Sequence, residues 1–491
     1  MNFLSGTFDS NEADVFRAGG NGGAIYYTEG VKISDSVVFT SNTATTAGAS
    51  TYVATDACSA VVTVDNYGDS LGGNCTSAGS CTFRNAWIYC ANINTWYDVD
   101  TLGRTCIIEL PASLTTKFVI GGSGTLNAVK ADPALAKEFS IIIRGVSGAT
   151  TLTDASTPEI NYGAGDDDGG GSYYNDYYAA YYSSDLQPNI FNLDVSAMQI
   201  SGLNFKMENV IIDSLGVGSN AQNGGSIYAS GVNNFDLVNV AFKNCVGNNG
   251  GAVHLTGASS VSFTNTTFEG NTGATNGGAV YLQSVSSATM KGMIFKGNVA
   301  SGSGGGFYVN ECPNMLMNVT EITGNEATSG GGCYIDAEND NLELTYVKVM
   351  GNTASDSGGG MYLSSTNQDV VLSHLDFEGN SALSGNGGGL HMHDTNTNPV
   401  LDDSVFKSNF AGGNGGGLYI GLNNENIRLT VAEFTNNTAA YGGGLCVDSQ
   451  NTGLELSYGT FDSNTADNDG GMCPYYVYCI CDCVTSYYNG Y

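Results

Sequence analysis

A pattern of apolar and polar positions recurs along the chain from residue 242 onward. Each unit has an apolar residue, two variable residues, Asn, a short linker, two or three Gly and a short alternating segment. Phe268 to Asn271, followed by Gly277 and Gly278, is one copy. Eight successive Asn are separated by 27, 27, 27, 28, 29, 28 and 27 positions. Self-similarity at this period predicts a solenoid of stacked repeats.

Segments inside each unit, such as residues 278–282, alternate with period two, which is typical of strands. Gly pairs would break helices but suit tight turns. The sequence therefore predicts an all-β fold, a right-handed parallel β-helix with about three short strands in each coil of about 27 residues. Equivalent residues then lie roughly 4.8 Å apart, so the Phe column should stack inside. We expect a structural Asn ladder of Asn271, Asn298, Asn325, Asn352, Asn380, Asn409, Asn437 and Asn464.

The signature Phe-x-x-Asn, followed by Gly-Gly and an apolar residue, resembles the repeat of the polymorphic outer-membrane protein family. The resemblance covers residues 242–472 and recurs near the start of the chain. It implies a β-helix displayed on a cell surface.

A second resemblance lies upstream, in Cys81-Thr-Phe-Arg84-Asn-Ala-Trp with Cys90 and Asn92 after it. This segment is similar to the N-terminal CSLREA region that opens many secreted β-helix proteins, with Phe and Asn in place of Leu and Glu. The resemblance implies a short helical cap over residues 80–92, where Arg84 is structural, and then the first coils. A cap suits this fold because an open end exposes edge strands and core.

Two units of the same pattern precede that cap. They are Phe8-Asp-Ser-Asn11 and Phe39-Thr-Ser-Asn42. They can pack on their own chain, or they can stack on the final coil of a neighbouring copy and chain subunits head to tail. The sequence leaves both arrangements open.

These features divide the chain into five segments. They are 1–54 (early coils), 55–145 (Cys-rich cap and first coils), 146–196 (acidic Tyr- and Gly-rich insertion), 197–472 (main repeats) and 473–491 (Cys- and Tyr-rich tail). Exposed Tyr among Ser, Gly and Asn makes contacts at low entropy cost. We therefore expect interfaces at Tyr173, Tyr174, Tyr177, Tyr178, Tyr475, Tyr476, Tyr487 and Tyr488.

Composition narrows the classes of partner. The 491 residues include 47 Asp and Glu against 15 Lys and Arg, a formal net charge of −32. Nucleic acid is excluded because no basic patch neutralises phosphates. Membrane insertion is not expected because no run of about 18 apolar residues occurs. Self-association head to tail and glycans remain as partners.

Thirteen cysteines fall into two terminal clusters and four single positions. The clusters predict disulfides in an oxidising compartment, and their spacing disfavours a zinc knuckle. The disulfide candidates are Cys58, Cys75, Cys81, Cys90, Cys106, Cys473, Cys479, Cys481 and Cys483. The single residues Cys245, Cys312, Cys333 and Cys446 are expected to be small buried side chains.

The first residues after Met1 resemble no signal peptide, which favours a processed product or a segment of a longer precursor. Four sequons mark glycosylation candidates in a secreted chain. They are Asn74, Asn265, Asn318 and Asn436.

No residue is assigned as catalytic, cofactor-binding or metal-binding. Lys243, Lys296 and Lys407 each follow the column Phe, so they mark a repeated surface position. The adjacent acids Asp402 and Asp403 are expected to point to opposite faces of a strand. The sequence predicts that the chain is not an enzyme and has no cofactor, although its carboxylates can bridge Ca²⁺ diffusely.

His391 and His393 lie at a spacing that puts two imidazoles on one face of a strand. A single coil supplies both, and no third ligand accompanies them, so a metal site is not assigned.

The sequence thus favours an extracellular or cell-surface structural protein, a rod-shaped subunit that assembles head to tail into a filament or surface coat. A surface adhesin that binds glycan or a host surface is the alternative. A polysaccharide lyase or hydrolase is a third.

Overall fold

The chain forms a parallel β-helix whose coils follow the period of the sequence. The computed structural model describes residues 204–214 and 223–467 throughout, and elsewhere Ala86 and the strands given below. Three sheets, here named A, B and C, run along the stack of coils. A representative coil places Val280–Gln283 in sheet A, Ala288–Lys291 and Ile294–Lys296 in sheet C, and Val299–Ala300 in sheet B.

Sheet A has twelve strands and sheet B has nine. The strands of sheet A are Val129–Lys130, Met198–Ser201, Ile227–Ser230, Val253–Thr256, Val280–Gln283, Phe307–Asn310, Cys333–Ile335, Met361–Leu363, Leu390–Met392, Leu418–Ile420, Leu445–Val447 and Tyr478–Ile480. The strands of sheet B are Val246–Gly247, Thr272–Gly273, Val299–Ala300, Glu326–Ala327, Thr353–Ala354, Ser381–Ala382, Phe410–Asn414, Thr438–Tyr441 and Thr465–Ala466.

Sheet C has two strand positions per coil, joined by a corner. The first position holds Ser59–Thr63, Arg104–Leu110, Phe139–Gly145, Asn204–Glu208, Asn234–Val238, Ser260–Thr264, Ala288–Lys291, Val371–Ser373 and Glu455–Ser457. The second holds Phe118–Ile120, Thr150–Asp154, Val210–Asp213, Ala241–Lys243, Thr267–Glu269, Ile294–Lys296, Asp376–Glu378 and Thr460–Asp462. In four coils the two fuse into one long strand, namely Met315–Thr323, Glu343–Met350, Val400–Lys407 and Arg428–Thr435.

Eight N-terminal strands, here named the N-terminal stack, pair in the order expected for two successive coils. Its parallel pairs are Asn2–Phe3 with Lys32–Ile33, Gly6–Asp9 with Val37–Thr40, Glu12–Ala13 with Thr43–Ala44, and Ile25–Tyr27 with Thr51–Val53. Among the strands that the structure describes, these eight pair only with one another.

The core is filled by apolar side chains, because every second residue of each strand points inward, and it contains a column of stacked Phe rings. The rings of Phe377, Phe406, Phe434 and Phe461 stack with centroids 4.8, 4.9 and 4.7 Å apart. Stacked aromatic pairs contribute beyond the area that they bury. The four Phe occupy equivalent register positions in successive coils.

The eight predicted Asn form a buried hydrogen-bonded column. Asn298 Nδ2 donates to Asn325 Oδ1 at 2.9 Å and to the carbonyl oxygen of Phe268 at 3.0 Å. The backbone nitrogen of Asn298 donates to the same Oδ1. Both amide protons and the amide oxygen are thus satisfied inside the protein, which a buried amide requires.

The Gly pair has two separate roles in the turn before sheet A. The first Gly takes a left-handed conformation, as at Gly304 with φ of +72°, which residues with a Cβ rarely adopt. The second lies against the next coil: a Cβ on Gly278 would lie 1.9 Å from the carbonyl oxygen of Gly305. Close stacking of coils therefore requires Gly at this position.

A second Asn column, buried except for its last member Asn451, lies between sheets A and C. It consists of Asn339, Asn367, Asn396, Asn424 and Asn451, each linked to the next by a backbone N–H that donates to the amide oxygen. The sequence does not reveal this column, because no fixed Phe or Gly accompanies it.

Candidate functional site

The last described coil presents open strand edges at the end of the column. Glu455–Ser457, Thr460–Asp462 and Thr465–Ala466 pair with the coil before them. Among the described residues, no later strand pairs with these three. Asn464 is the last rung: it accepts from Asn437 and donates to the carbonyl oxygen of Phe434. Unpaired strand edges are templates for another chain.

Sheet A ends differently. Its last parallel strand, Leu445–Val447, pairs with the antiparallel strand Tyr478–Ile480 from the C-terminal tail, with Cys446 opposite Cys479. The tail therefore covers the edge of sheet A, while the edges of sheets B and C in the last described coil carry no described strand.

The outer face of sheet A carries a continuous stack of aromatic rings. Its members are Tyr228, His254, Tyr281, Tyr308, Tyr334, Tyr362, His391 and Tyr419, with successive centroids 4.4 to 5.4 Å apart. Neighbouring rings cover each other's faces, so only edges and hydroxyl groups meet solvent. This stack therefore offers no flat ring face on which a sugar or a base could stack.

Two histidines are buried inside that stack. Desolvation lowers the pKa of His254 to about 4 and that of His391 to about 3. His391 Nε2 has no hydrogen-bond partner among the residues that the structure describes. Both rings are therefore neutral at pH 7. Hydroxyl groups at the edge of the stack donate to carboxylates, Tyr308 to Asp336 and Tyr419 to Asp448.

The lysines that follow the column Phe pair with acids in the same column. Glu269 lies between Lys243 and Lys296, at 3.2 and 3.0 Å. Hydrogen bonds from Lys296 and Lys243 lower the pKa of the Glu269 carboxyl. Lys407 pairs with Glu378 at 2.9 Å. These cations therefore bridge adjacent coils on the surface, where such pairs contribute little to stability.

A shallow groove of about 480 Å³ runs beside the first strand position of sheet C. One wall is a ladder in which Asn426 Nδ2 donates to Asn398 Oδ1 at 2.9 Å, and Asn398 Nδ2 donates to Asp369 Oδ1 at 2.8 Å. All three residues have φ of 55° to 57°. The floor includes Val371 and Val400.

At its far end the groove is bounded by Arg428 and Glu455. Gly453 takes the next place in the amide ladder, with φ of +67°, and a Cβ there would lie 2.7 Å from Asn426 Oδ1. Because Gly453 has no side chain, the ladder stops and the amide of Asn426 faces the groove.

The expectation for Asp402 and Asp403 is wrong. Asp403 sits at the corner of sheet C with φ of +46°, which interrupts the alternation of a strand. Neither side chain is buried, so both are at the surface. His374 bridges this corner: its Nε2 lies 3.3 Å from Asp403 Oδ2, and its Nδ1 lies 2.7 Å from Ser373 Oγ.

His391 and His393 lie in or against the ring stack, with centroids 5.7 Å apart. His393 Nδ1 is within hydrogen-bond distance of Ser365 Oγ at 2.9 Å. Among residues 204–214 and 223–467 and the other described positions, no three His, Cys, Asp or Glu converge as metal ligands.

The sequons differ in how the structure presents them. Asn265 and Asn436 are exposed at left-handed turn positions. Asn318 is half-buried and donates to Thr345 Oγ1 at 2.6 Å, and Thr320 of the same sequon is buried. Asn74 lies outside the described residues. The two exposed sites are the better placed for a glycan.

Cys106 is buried in its strand, and so are Cys245, Cys312, Cys333 and Cys446. The side chains of the other eight disulfide candidates lie outside the description, so their pairing stays a prediction. The eight interface tyrosines and most of the cap also lie outside it. No helix in the described part of the chain has the length and apolar character to cross a bilayer.

A protein-family model described as a right-handed β-helix region matches residues 251–456. The predicted fold is therefore confirmed in class, period and handedness. The finer resemblances, to polymorphic outer-membrane repeats and to the CSLREA region, stay predictions. No curated protein sequence matches the chain.

Several solved structures share the fold. The periplasmic alginate epimerase AlgG is 10% identical, with 72% of this chain and 77% of that chain covered and a TM-score of 0.39. PfbA, a surface adhesin of Streptococcus pneumoniae, is 10% identical, with 72% and 85% covered and a TM-score of 0.38. The GH136 lacto-N-biosidase from Eubacterium ramulus is 11% identical, with 82% and 68% covered and a TM-score of 0.37.

One conclusion from the sequence needs correction. The chain was expected not to be an enzyme, but the structures that share its fold include epimerases and a biosidase. A β-helix can build a site from side chains of several coils, and short sequence motifs do not reveal such a site. At about 10% identity the similarity shows the fold alone and assigns no reaction to this chain.

Proposed function

We propose that this chain is the subunit of an extracellular filament or surface coat, in which residues 1–54 of one copy stack on the last coil of the next. The observation that carries the proposal is a match between the two ends. Residues 6–14 read Gly-Thr-Phe-Asp-Ser-Asn-Glu-Ala-Asp, and residues 459–467 read Gly-Thr-Phe-Asp-Ser-Asn-Thr-Ala-Asp. Eight of nine positions are identical.

The two ends also have the same backbone arrangement. In the N-terminal stack, Phe8 pairs with Phe39 and Ala13 pairs with Ala44. In the last coils, Phe434 pairs with Phe461 and Ala439 pairs with Ala466. The N-terminal stack can therefore add the next coil to the C-terminal end without a change of register.

The order of strands agrees with this continuation. The first two strands of the chain correspond to the two strand positions of sheet C, and the third corresponds to sheet B. Sheets C and B are the two sheets whose edges are open in the last described coil. Ile25–Tyr27 would then face the tail strand Tyr478–Ile480. In an uninterrupted β-helix, Lys32–Ile33 would pair with Ser59–Thr63, but among the described strands this pairing does not occur. These features favour stacking on a neighbour.

Charge favours growth at the ends. A net charge of −32 on rods with few cations makes the sides repel each other. A head-to-tail contact between two different surfaces does not close on itself and so gives a fibre.

An extracellular location fits the fold, since the similar structures include a periplasmic enzyme and a surface adhesin.

Thr465 offers a direct test. In the proposed junction, Ala13 continues the column of Ala466, so Glu12 lies opposite the exposed Thr465. Like charges directly opposite in a sheet are destabilising. We expect Thr465→Glu to shorten assemblies in sedimentation velocity at low salt and Thr465→Lys to lengthen them, with the difference reduced at high salt.

The matched control is Thr353→Glu, which places a like charge opposite Glu326 at the same column inside one chain. It should leave assembly unchanged. Equal assembly of Thr465→Glu and Thr465→Lys would contradict the proposed junction.

A further inference from the structure

The groove beside sheet C has an ordered polar wall that takes no part in the proposed filament contacts. Its polar wall is the ladder of Asp369, Asn398 and Asn426, and the backbone fixes each rung. Asp369 N donates to the carbonyl oxygen of Thr397 at 2.9 Å, and Asn426 N donates to that of Thr452 at 2.8 Å. The side-chain amides of Asn398 and Asn426 each also donate one hydrogen bond to the neighbouring side chain of the ladder. The side chains are therefore oriented before any ligand arrives, which lowers the entropy cost of binding.

The floor and far end supply complementary chemistry. Val371, Val400, Arg428 and Glu455 occupy one outward row of sheet C in successive coils. Two half-buried apolar side chains thus lie in line with a guanidinium and a carboxylate. The groove offers C–H contact on its floor, hydrogen-bond donors and acceptors along one wall, and a charged pair at one end.

We propose that this groove binds an uncharged glycan chain. Sugars present hydroxyl groups, which both donate and accept, at the edges of rings whose faces carry C–H groups, and the wall and floor match these two surfaces. The wall and floor positions recur once per coil, roughly every 4.8 Å, which suits a repetitive ligand. The groove has a volume of about 480 Å³ and is open to solvent.

Charge selects against acidic polysaccharides. Asp369 and Glu455 outnumber Arg428 in the lining, and the whole chain is strongly acidic. An anionic polymer would be repelled at long range. The ring stack of sheet A is a poorer site because its faces are covered.

The test uses the full chain with insoluble cellulose, chitin, β-1,3-glucan and xylan in pull-downs, and hexaoses of those that bind in calorimetry. We expect retention on at least one neutral glycan and none on polygalacturonate. Asn398→Gly and Arg428→Gln should each weaken hexaose binding at least tenfold. Gly is chosen because the position has a left-handed φ.

Gly453→Asn provides a second variant that adds a side chain. It should extend the ladder into the groove and block binding while thermal unfolding stays near that of the unaltered chain. The matched control is Asn314→Gly, at the same ladder position outside the groove, where Asn341 donates to Asn314 Oδ1. It should bind as the unaltered chain does.

Retention on no neutral glycan, stronger binding to polygalacturonate or to a peptide library, or an equal loss in Asn314→Gly would each overturn the assignment.

Discussion

Asn437 donates two hydrogen bonds to a single atom of Asn464. Its backbone nitrogen lies 3.0 Å and its Nδ2 lies 2.9 Å from Asn464 Oδ1. The same two hydrogen bonds join each earlier Asn of the ladder to the next, from Asn271 onward. Each Asn of the ladder therefore donates to the amide oxygen of the Asn in the next coil. Asn464 is the last Asn described, so a further coil would gain these two hydrogen bonds there.

Removing one rung should cost a large part of the stability of the rod. Asn352→Ala leaves the buried backbone N–H of Asn325 without its acceptor. Buried unsatisfied groups cost about 1–3 kcal/mol each, so we expect a loss of about 2–4 kcal/mol in the free energy of unfolding. Ser355→Ala, at an exposed position nearby, should stay within about 0.5 kcal/mol. Denaturant titration compares the two, and equal effects would contradict the structural role of the ladder.

The Phe column gives a second comparison within one coil. Phe406 is fully buried between Phe377 and Phe434, whereas Phe410 is 39% exposed. We expect Phe406→Ala to destabilise by about 3–5 kcal/mol and Phe410→Ala by less than about 1 kcal/mol. Similar losses in chemical denaturation would mean that the column is not the core.

The buried histidines should make the rod sensitive to acid. Their folded-state pKa values, about 4 for His254 and about 3 for His391, lie below the ordinary value of 6.5. The unfolded chain therefore binds more protons as pH falls below 6.5, and stability is lost down to those folded values. Each histidine contributes a slope of up to about 1.4 kcal/mol per pH unit between pH 6 and pH 4.

Replacing both histidines isolates that effect. We expect His254→Tyr combined with His391→Tyr to flatten the loss of stability between pH 6 and pH 4, because Tyr occupies the same place in neighbouring coils. Tyr228→Phe, which keeps a ring and removes no histidine, should leave the slope as it is. An unchanged slope in the double variant would show that these rings are accessible to protons in the folded chain.

The sequence predicted the repeated architecture well because its constraints are local and recur. The Asn at 271 and the Gly pair at 277 and 278 meet the same neighbours in every coil, so a regular period translates directly into a ladder and a turn. The sequence did not predict the ring stack of sheet A, because its positions hold either Tyr or His. The stack can be recognised only once the register between coils is known.

The groove could not be read from the sequence for a related reason. Asp369, Asn398 and Asn426 are spaced like many surface Asn of this chain and share their left-handed backbone, and what distinguishes them is the groove floor of Val371 and Val400 beside them. The corner at Asp403 shows the same limit. Strand alternation predicts the direction of a side chain only while the backbone stays extended.

Electron microscopy of the purified full chain shows directly whether subunits stack head to tail. We predict filaments in which the β-helix continues from one subunit to the next. The strand spacing of roughly 4.8 Å should be unbroken across each junction, and residues 1–54 of one copy should lie on the Asn464 end of its neighbour. Isolated short rods in which residues 1–54 pack on their own chain would contradict it.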